Sequence, residues 1–235
     1  MTRLPKDRDT HLSAEEISAE ALRQFDAAPA EPSIRSLAAA LHVAPSAIYH
    51  HFPSRAAIIR AAVERVWNEA LAELLELVPK PFEAEPRRVL VATGIATRRA
   101  WLTHYRLAPY LAASPEVDEF TRDAIGLMAN LFERIGLEGE AAAAAFHSYA
   151  SFMIGSVLFA ASRAGANEQL TGEPHGDPDK RFRIEHTRGG AQRSSESTRQ
   201  SIDEMMGLSN VNPARDEELY ARGLQRLVES LTSAG

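Results

Sequence analysis

A chain of 235 residues with 45% hydrophobic and 25% charged side chains can bury a sizeable core, which excludes the disordered class. The absence of cysteine removes disulfides, thiolate nucleophiles and cysteine-ligated zinc together. No run approaches ~18 uninterrupted apolar residues, and the polar start has no apolar stretch behind it, so a cytoplasmic protein without membrane contact is expected.

Nearly every segment carries helical periodicity, while alternating β-branched runs and Asn-Gly hairpin signals are missing. The expected fold is all-α: an N-terminal three-helix helix-turn-helix domain over 13–78, then a C-terminal helical ligand-binding and dimerisation domain over 79–235. Residues 1–12 read as a mobile arm. Ser13-Ala14-Glu15-Glu16 forms a capping box and opens a helix with Ile17, Ala21, Leu22 and Phe25 on one face. The run 27–32, which contains Pro29 and Pro32, stops it. Short helices follow over 33–41 and 45–52, with Pro45 at a first helical position, where a missing N–H costs nothing. Pro53-Ser54 breaks and recaps the chain. The long helix 54–78 is expected to bury Ile59, Val63, Val66, Ala70, Leu74 and Val78, until Pro79-Lys80-Pro81 marks the border.

Beyond the border the pattern gives helices over 86–107 and 109–113, one starting at Ser114-Pro115-Glu116 and ending near Gly136, and a long one over 138–164. Glycine, proline, serine and charges then dominate 165–212, the composition of a mobile insertion, with a helical turn or two around 201–206. An amphipathic helix over 213–231 follows.

The segment 34–53 fits a helix-turn-helix position by position. Leu37, Leu41, Val43 and Ile48 lock two short helices at a steep angle, and Ala38 lets them approach. The turn 41–44 needs a positive φ, ordinarily supplied by glycine, and His42 stands there. The net charge of −6 hides a local bias: no acid falls between Glu31 and Glu64, where Arg35, Arg55, Arg60, His42, His50 and His51 lie. An equally acid-free stretch between Glu85 and Glu116 carries Arg87, Arg88, Arg98, Arg99 and Arg106, so charge alone does not choose between them.

Arg35-Ser36-Leu37-Ala38 followed by Val43-Ala44-Pro45-Ser46-Ala47-Ile48-Tyr49-His50-His51-Phe52-Pro53-Ser54-Arg55 resembles the DNA-binding domain of the TetR family. The likeness spans roughly 13–78; His42 replaces the usual glycine and Ala44 the usual capping serine or threonine. The resemblance implies a recognition helix in the major groove of double-stranded DNA. Pro45, Ser46 and Ala47 would meet base edges, and His50 a purine acceptor or a phosphate. Arg35 would reach guanine or the backbone, and Tyr49 and Arg55 would clamp phosphates. Phe52 and His51 read as packing residues, and Arg60 as a solvated charge.

Stripes at helical spacing in the second domain (Thr93, Thr97, Trp101, His104, Tyr105; Ile125, Met128, Phe132; His147, Ser151, Ile154) suit either an ordinary core or an apolar cavity with polar tips. The resemblance favours a small-molecule effector site, for which Trp101, His104, Tyr105, Met128, Phe132, His147 and Ser151 are the candidates. It also implies a homodimer through helices 138–164 and 213–231, packed as a four-helix bundle across a two-fold axis. The expected face combines Phe146, Tyr149, Ala150, Met153, Val157 and Ala161 with Leu219, Tyr220, Gly223, Leu224, Leu227 and Leu231. No Glu-x-x-His pair, phosphate-binding glycine loop or nucleophile elbow occurs, so neither enzyme nor cofactor nor metal is expected. The expectation is a ligand-released repressor on a palindromic operator; the alternative is a helical small-molecule-binding protein with a degenerate helix-turn-helix.

Overall fold

The computed structural model describes residues 12–28, 30–113, 119–171 and 213–233. All the regular structure among them is helical. Helix α1 (Ala14–Ala27) starts at the expected capping box: Ser13 Oγ accepts from the Glu16 N–H at 3.1 Å, and the Glu16 carboxylate accepts from the Ser13 N–H at 2.9 Å. Helix α2 (Ile34–Leu41) has a second box built from Ser33 and Ser36. Helix α3 (Pro45–His51) begins at Pro45, and α4 (Arg55–Leu77) is capped by Ser54.

The long helix α4 buries Ile58, Ala62, Val66, Ala70 and Leu74. Its first half is turned by one residue from the expected face, and Ile59 and Val63 are half-buried. The cause is that α4 lies between α1 on one side and α5 on the other, so the buried stripe is set by two neighbours rather than one.

Glu85 caps α5 (Pro86–Thr103), whose axis ends earlier than the expected 107. Residues Tyr105–Leu107 form a 3-10 turn leading into α6 (Ala108–Ala113). Pro109 explains the break, because it has no N–H for the carbonyl four residues back and its ring crowds the preceding turn. Helix α7 covers Glu119–Arg134; its expected start at 114–116 lies outside the described residues.

Helix α8 (Gly139–Thr171) runs past the expected end at 164, since Ala166 to Leu170 are mostly good helix formers. The first part of the expected insertion is therefore helical. The remainder of it, the turn at 201–206 and the arm 1–11 lie outside the described residues. Helix α9 (Pro213–Ser233) follows.

Two apolar clusters hold the helices together. The first joins Ile17, Phe25, Leu37, Ile48, Ile58 and Val66 of the N-terminal domain to Ala100, Trp101, Leu107, Leu111 and Val157 beyond the border. The second packs Leu74, Val89, Leu90, Met128, Phe132, Tyr149, Met153, Tyr220 and Leu224. The chain has a sequence border at 79–81 but no break in its core there.

One segment, Gly139–Gly165 of α8, is by length and composition long and apolar enough to cross a membrane. The sequence reading sought an uninterrupted apolar run and passed over a helix in which serines and glycines are interspersed. Its inner residues Ala145, Tyr149, Met153 and Val157 are buried against neighbouring helices, and only 22% of the apolar window is buried within the chain.

Candidate nucleic-acid interface and effector region

In the helix-turn-helix, Leu37, Ala38 and Ile48 are buried and Ile34, Leu41, Val43 and Phe52 close around them. His42 takes φ 57° and ψ 39°, and among the described residues it is the non-glycine residue with positive φ. Its neighbour Val43 donates to the Ala38 carbonyl at 3.0 Å, so the left-handed turn closes α2 without glycine. Ala44 has the extended conformation of an N-cap but no side chain to fill the role.

With Ile48 pointing inward, the rest of α3 faces out. Pro45, Ser46, His50 and His51 are exposed, Tyr49 is 53% exposed, and Ala47 is half-buried. Arg35 is exposed at the start of α2. The structure thus brings Arg35, Pro45, Ser46, Tyr49 and His50 onto the surface of one small domain. His51 corrects an expectation: it is exposed, because Phe52 takes the packing position at the end of α3.

Arg55 is more engaged than a waiting phosphate clamp would be. Its guanidinium pairs with Glu31, and its Nε donates to the Pro32 carbonyl at 2.9 Å. It ties the start of α4 to the segment preceding α2, with part of its fork still exposed.

The effector candidates separate into four places. Trp101 is fully buried and meets Trp67 edge-on at 5.5 Å; Tyr105, also buried, begins the 3-10 turn. Met128 and Phe132 lie in the second cluster. His104 faces Asp26 and Glu69 at the seam with the N-terminal domain. His147 and Ser151 are exposed on the outer side of α8, because its inward stripe is Ala145, Tyr149, Met153 and Val157. Those two do not join the other candidates.

The expected dimer face needs the same correction. Tyr149, Met153, Val157, Tyr220 and Leu224 are spent inside the chain, where the close approach of α8 and α9 to α5 consumes them. The outward stripe of α8 is instead Ala144, Ser148, Ser151, Gly155 and Phe159, the last 65% exposed. Leu219, Gly223, Leu227 and Leu231 of α9 remain half-buried.

The sequence reading missed the polar contacts that hold α5, α8 and α9 together. Arg98 is buried, bonds Asp216, and lies 4.7 Å over the Tyr220 ring; Arg163 Nη2 donates to the other Asp216 oxygen at 2.6 Å. Burial opposes ionisation of Asp216, but hydrogen bonds from Arg163 and Arg98 outweigh it and hold the carboxyl below its usual range. Tyr149 donates to the Leu90 carbonyl at 2.7 Å and Tyr220 to the Gly94 carbonyl at 3.0 Å. Burial pushes Tyr220 up to about 12 and Tyr149 well above the usual tyrosine range, so both stay neutral donors. Two buried donors on one face of α5, Arg98 Nε and Trp101 Nε1, have no acceptor among the described residues. The available signal was the pair Arg98-Arg99 in an apolar helix, matched by Asp216-Glu217 at the start of α9.

The helix-turn-helix domain thus shares its apolar core with a helical bundle. Residues 12–62 match the sequence model of the family described as bacterial regulatory proteins, tetR family. No curated protein matches the chain. Solved structures show the same fold over nearly the whole length. ActR of Streptomyces coelicolor in complex with actinorhodin is 20% identical, with 96% of this chain and 97% of that one covered and a TM-score of 0.64. ActR in complex with (S)-DNPA is 18% identical, covering 95% and 98%, also at 0.64. A TetR of Acinetobacter baumannii in complex with minocycline is 17% identical, covering 93% and 92%, at 0.61. The chain thus carries, over residues 12–62, the DNA-binding domain of bacterial regulatory proteins of the tetR family, and over nearly its whole length the fold of these solved structures.

Proposed function

We propose that this regulator is a repressor that binds a palindromic operator as a homodimer and is released by a small, largely apolar molecule. The carrying observation is the exposed face of α3 on a domain whose apolar core continues into the effector region through Trp101, Leu107 and Val157. A change in packing around Trp101 acts directly on the helices that hold α3. In this reading Pro45, Ser46, Ala47 and His50 meet base edges, Arg35 reaches guanine or backbone, and Tyr49 and Arg55 hold phosphates. The effector lies beside Trp101 and Tyr105, where a molecule bearing a hydrogen-bond acceptor would satisfy Trp101 Nε1 or Arg98 Nε. Ligand-bound neighbours of the same fold support an effector of this kind.

The homodimer reading rests on α8. Its outer stripe of small residues and Phe159 leaves apolar surface uncovered, and a second copy packing α8 and α9 across a two-fold axis would cover it. Two reading heads then address two half-sites about one helical turn apart, or a multiple of that. The test selects a duplex from a random library with the purified protein, then measures stoichiometry by sedimentation and contacts by footprinting. Two protomers on a palindrome are expected. Selection of no sequence overturns the reading in favour of a binding protein with a degenerate helix-turn-helix.

A further inference from the structure

The seam between the N-terminal domain and the effector region contains a buried histidine between two carboxylates. His104 Nδ1 lies 2.9 and 3.0 Å from the Asp26 oxygens at the end of α1, and Nε2 lies 2.8 Å from a Glu69 oxygen on α4. The His104 side chain is 10% exposed. An ionised carboxylate only accepts, so both contacts are hydrogen bonds only when both ring nitrogens carry protons. A neutral ring keeps one donor and turns a lone pair towards the other carboxylate.

The surrounding contacts run the same way. Arg106 donates to the Asp26 carbonyl, and Tyr110 of α6 donates to Glu31, the carboxylate that also holds Arg55 at the start of α4. The charged groups facing the ring are Asp26 from α1 and Glu69 from α4; on its own segment, Arg106 sits at the Asp26 main chain. Two negative groups and a cation-forming ring make a contact that is complete with the proton on and weakened with it off.

We propose that His104 is a proton-dependent pin that sets α1 and α4, and with them the DNA-reading helices, against the effector region. Its sign follows from the ring: the pin is whole when the imidazole is doubly protonated and loosens as pH rises and one proton leaves. His104 in this role is a positioning residue and touches neither DNA nor effector. The link to DNA rests on the reading role proposed above, whereas the pin itself does not.

Amide hydrogen exchange of the full chain, corrected for the intrinsic pH effect, tests the pin from about pH 6 to about pH 9. Protection of 20–28 should fall by roughly tenfold across that range, as for loss of one charge-assisted hydrogen bond. Glu69→Gln should keep the protection and flatten the profile, because the amide can donate to a bare Nε2 and accept from a protonated one. His104→Gln should show the same low protection at every pH. Wild-type protection that ignores pH, or a Glu69→Gln profile as steep as wild type, overturns the pin. On a duplex selected from a random library, wild-type affinity should weaken with rising pH more than that of Glu69→Gln. Equal DNA profiles overturn the link to DNA setting. A library that yields no preferred duplex instead overturns the DNA-reading role, and the exchange result still decides the pin.

Discussion

The two acid-free stretches of this chain have similar charge and opposite fates. In 86–115, Arg98 bonds Asp216, Arg99 bonds Glu73 and Glu217, Arg106 donates to the Asp26 carbonyl, and Arg88 reaches the Leu77 carbonyl. In 32–63, Arg35, His50 and His51 face solvent on and beside α3, while Arg55 is drawn into a pair with Glu31. Local positive charge is therefore no guide to a phosphate-binding surface until the partners from distant segments are known. The carboxylates that neutralise the second stretch come from α4 and α9, far away in sequence. The first stretch keeps its charge outside because short helices bury only their apolar side.

This contrast can be broken by moving stability and DNA binding separately. The largest stability effect is expected from Arg98→Ala, which leaves Asp216 with one partner and removes a buried cation from the Tyr220 ring. Loss of one partner from a buried ion network costs about 3–5 kcal/mol, measurable by urea unfolding. Arg35→Ala, on an exposed site, should stay within ~0.5 kcal/mol of wild type while weakening DNA binding. Gly94→Ala comes next. A Cβ there would lie 2.5 Å from Leu224 Cδ2 and 3.0 Å from the Tyr149 hydroxyl, so Leu224 must change rotamer or α9 must give way, at about 1–3 kcal/mol.

Acid sharpens the comparison without a mutation. The Asp216 carboxyl is held below its usual range when folded, so its contribution is present above the unfolded value, ~3.9, and disappears as pH falls through the folded one. Loss of α9 docking should accordingly precede loss of α1–α3 on acidification, as read by residue-resolved exchange. Simultaneous loss would mean that the Asp216 pairs do not govern the docking. The smallest effect is a gain: Ala44→Ser should cap α3 and stabilise the domain by about 1 kcal/mol. No gain in melting temperature would mean that Pro45 already sets the entry to the helix.

The N-terminal domain was legible because its signals are local. The Ser13 capping box, Pro45 at a first helical position and a left-handed residue at His42 each depend on neighbours within a few residues, and each is present. The inward faces of α4 and α8 were misjudged because helical spacing defines a stripe but not which of two neighbours claims it. His147 and Ser151 keep the right spacing on the wrong side of α8. The Arg98–Asp216 pair joins residues separated by most of the second domain, and no periodicity announces such a pair. His104 was singled out for the effector, while its partners Asp26 and Glu69 lie across the border that the prolines mark.

The central claim is that DNA is held by the first acid-free stretch and not the second. The most direct test is the salt dependence of binding to a selected duplex, by fluorescence anisotropy, for wild type, Arg55→Ala and Arg99→Ala. Each phosphate contact contributes roughly 0.9 to the slope of log affinity against log salt. The account predicts that Arg55→Ala flattens the slope by about one contact and weakens all sequences alike, while Arg99→Ala leaves the slope at its wild-type value. A slope unchanged by Arg55→Ala and flattened by Arg99→Ala would contradict it.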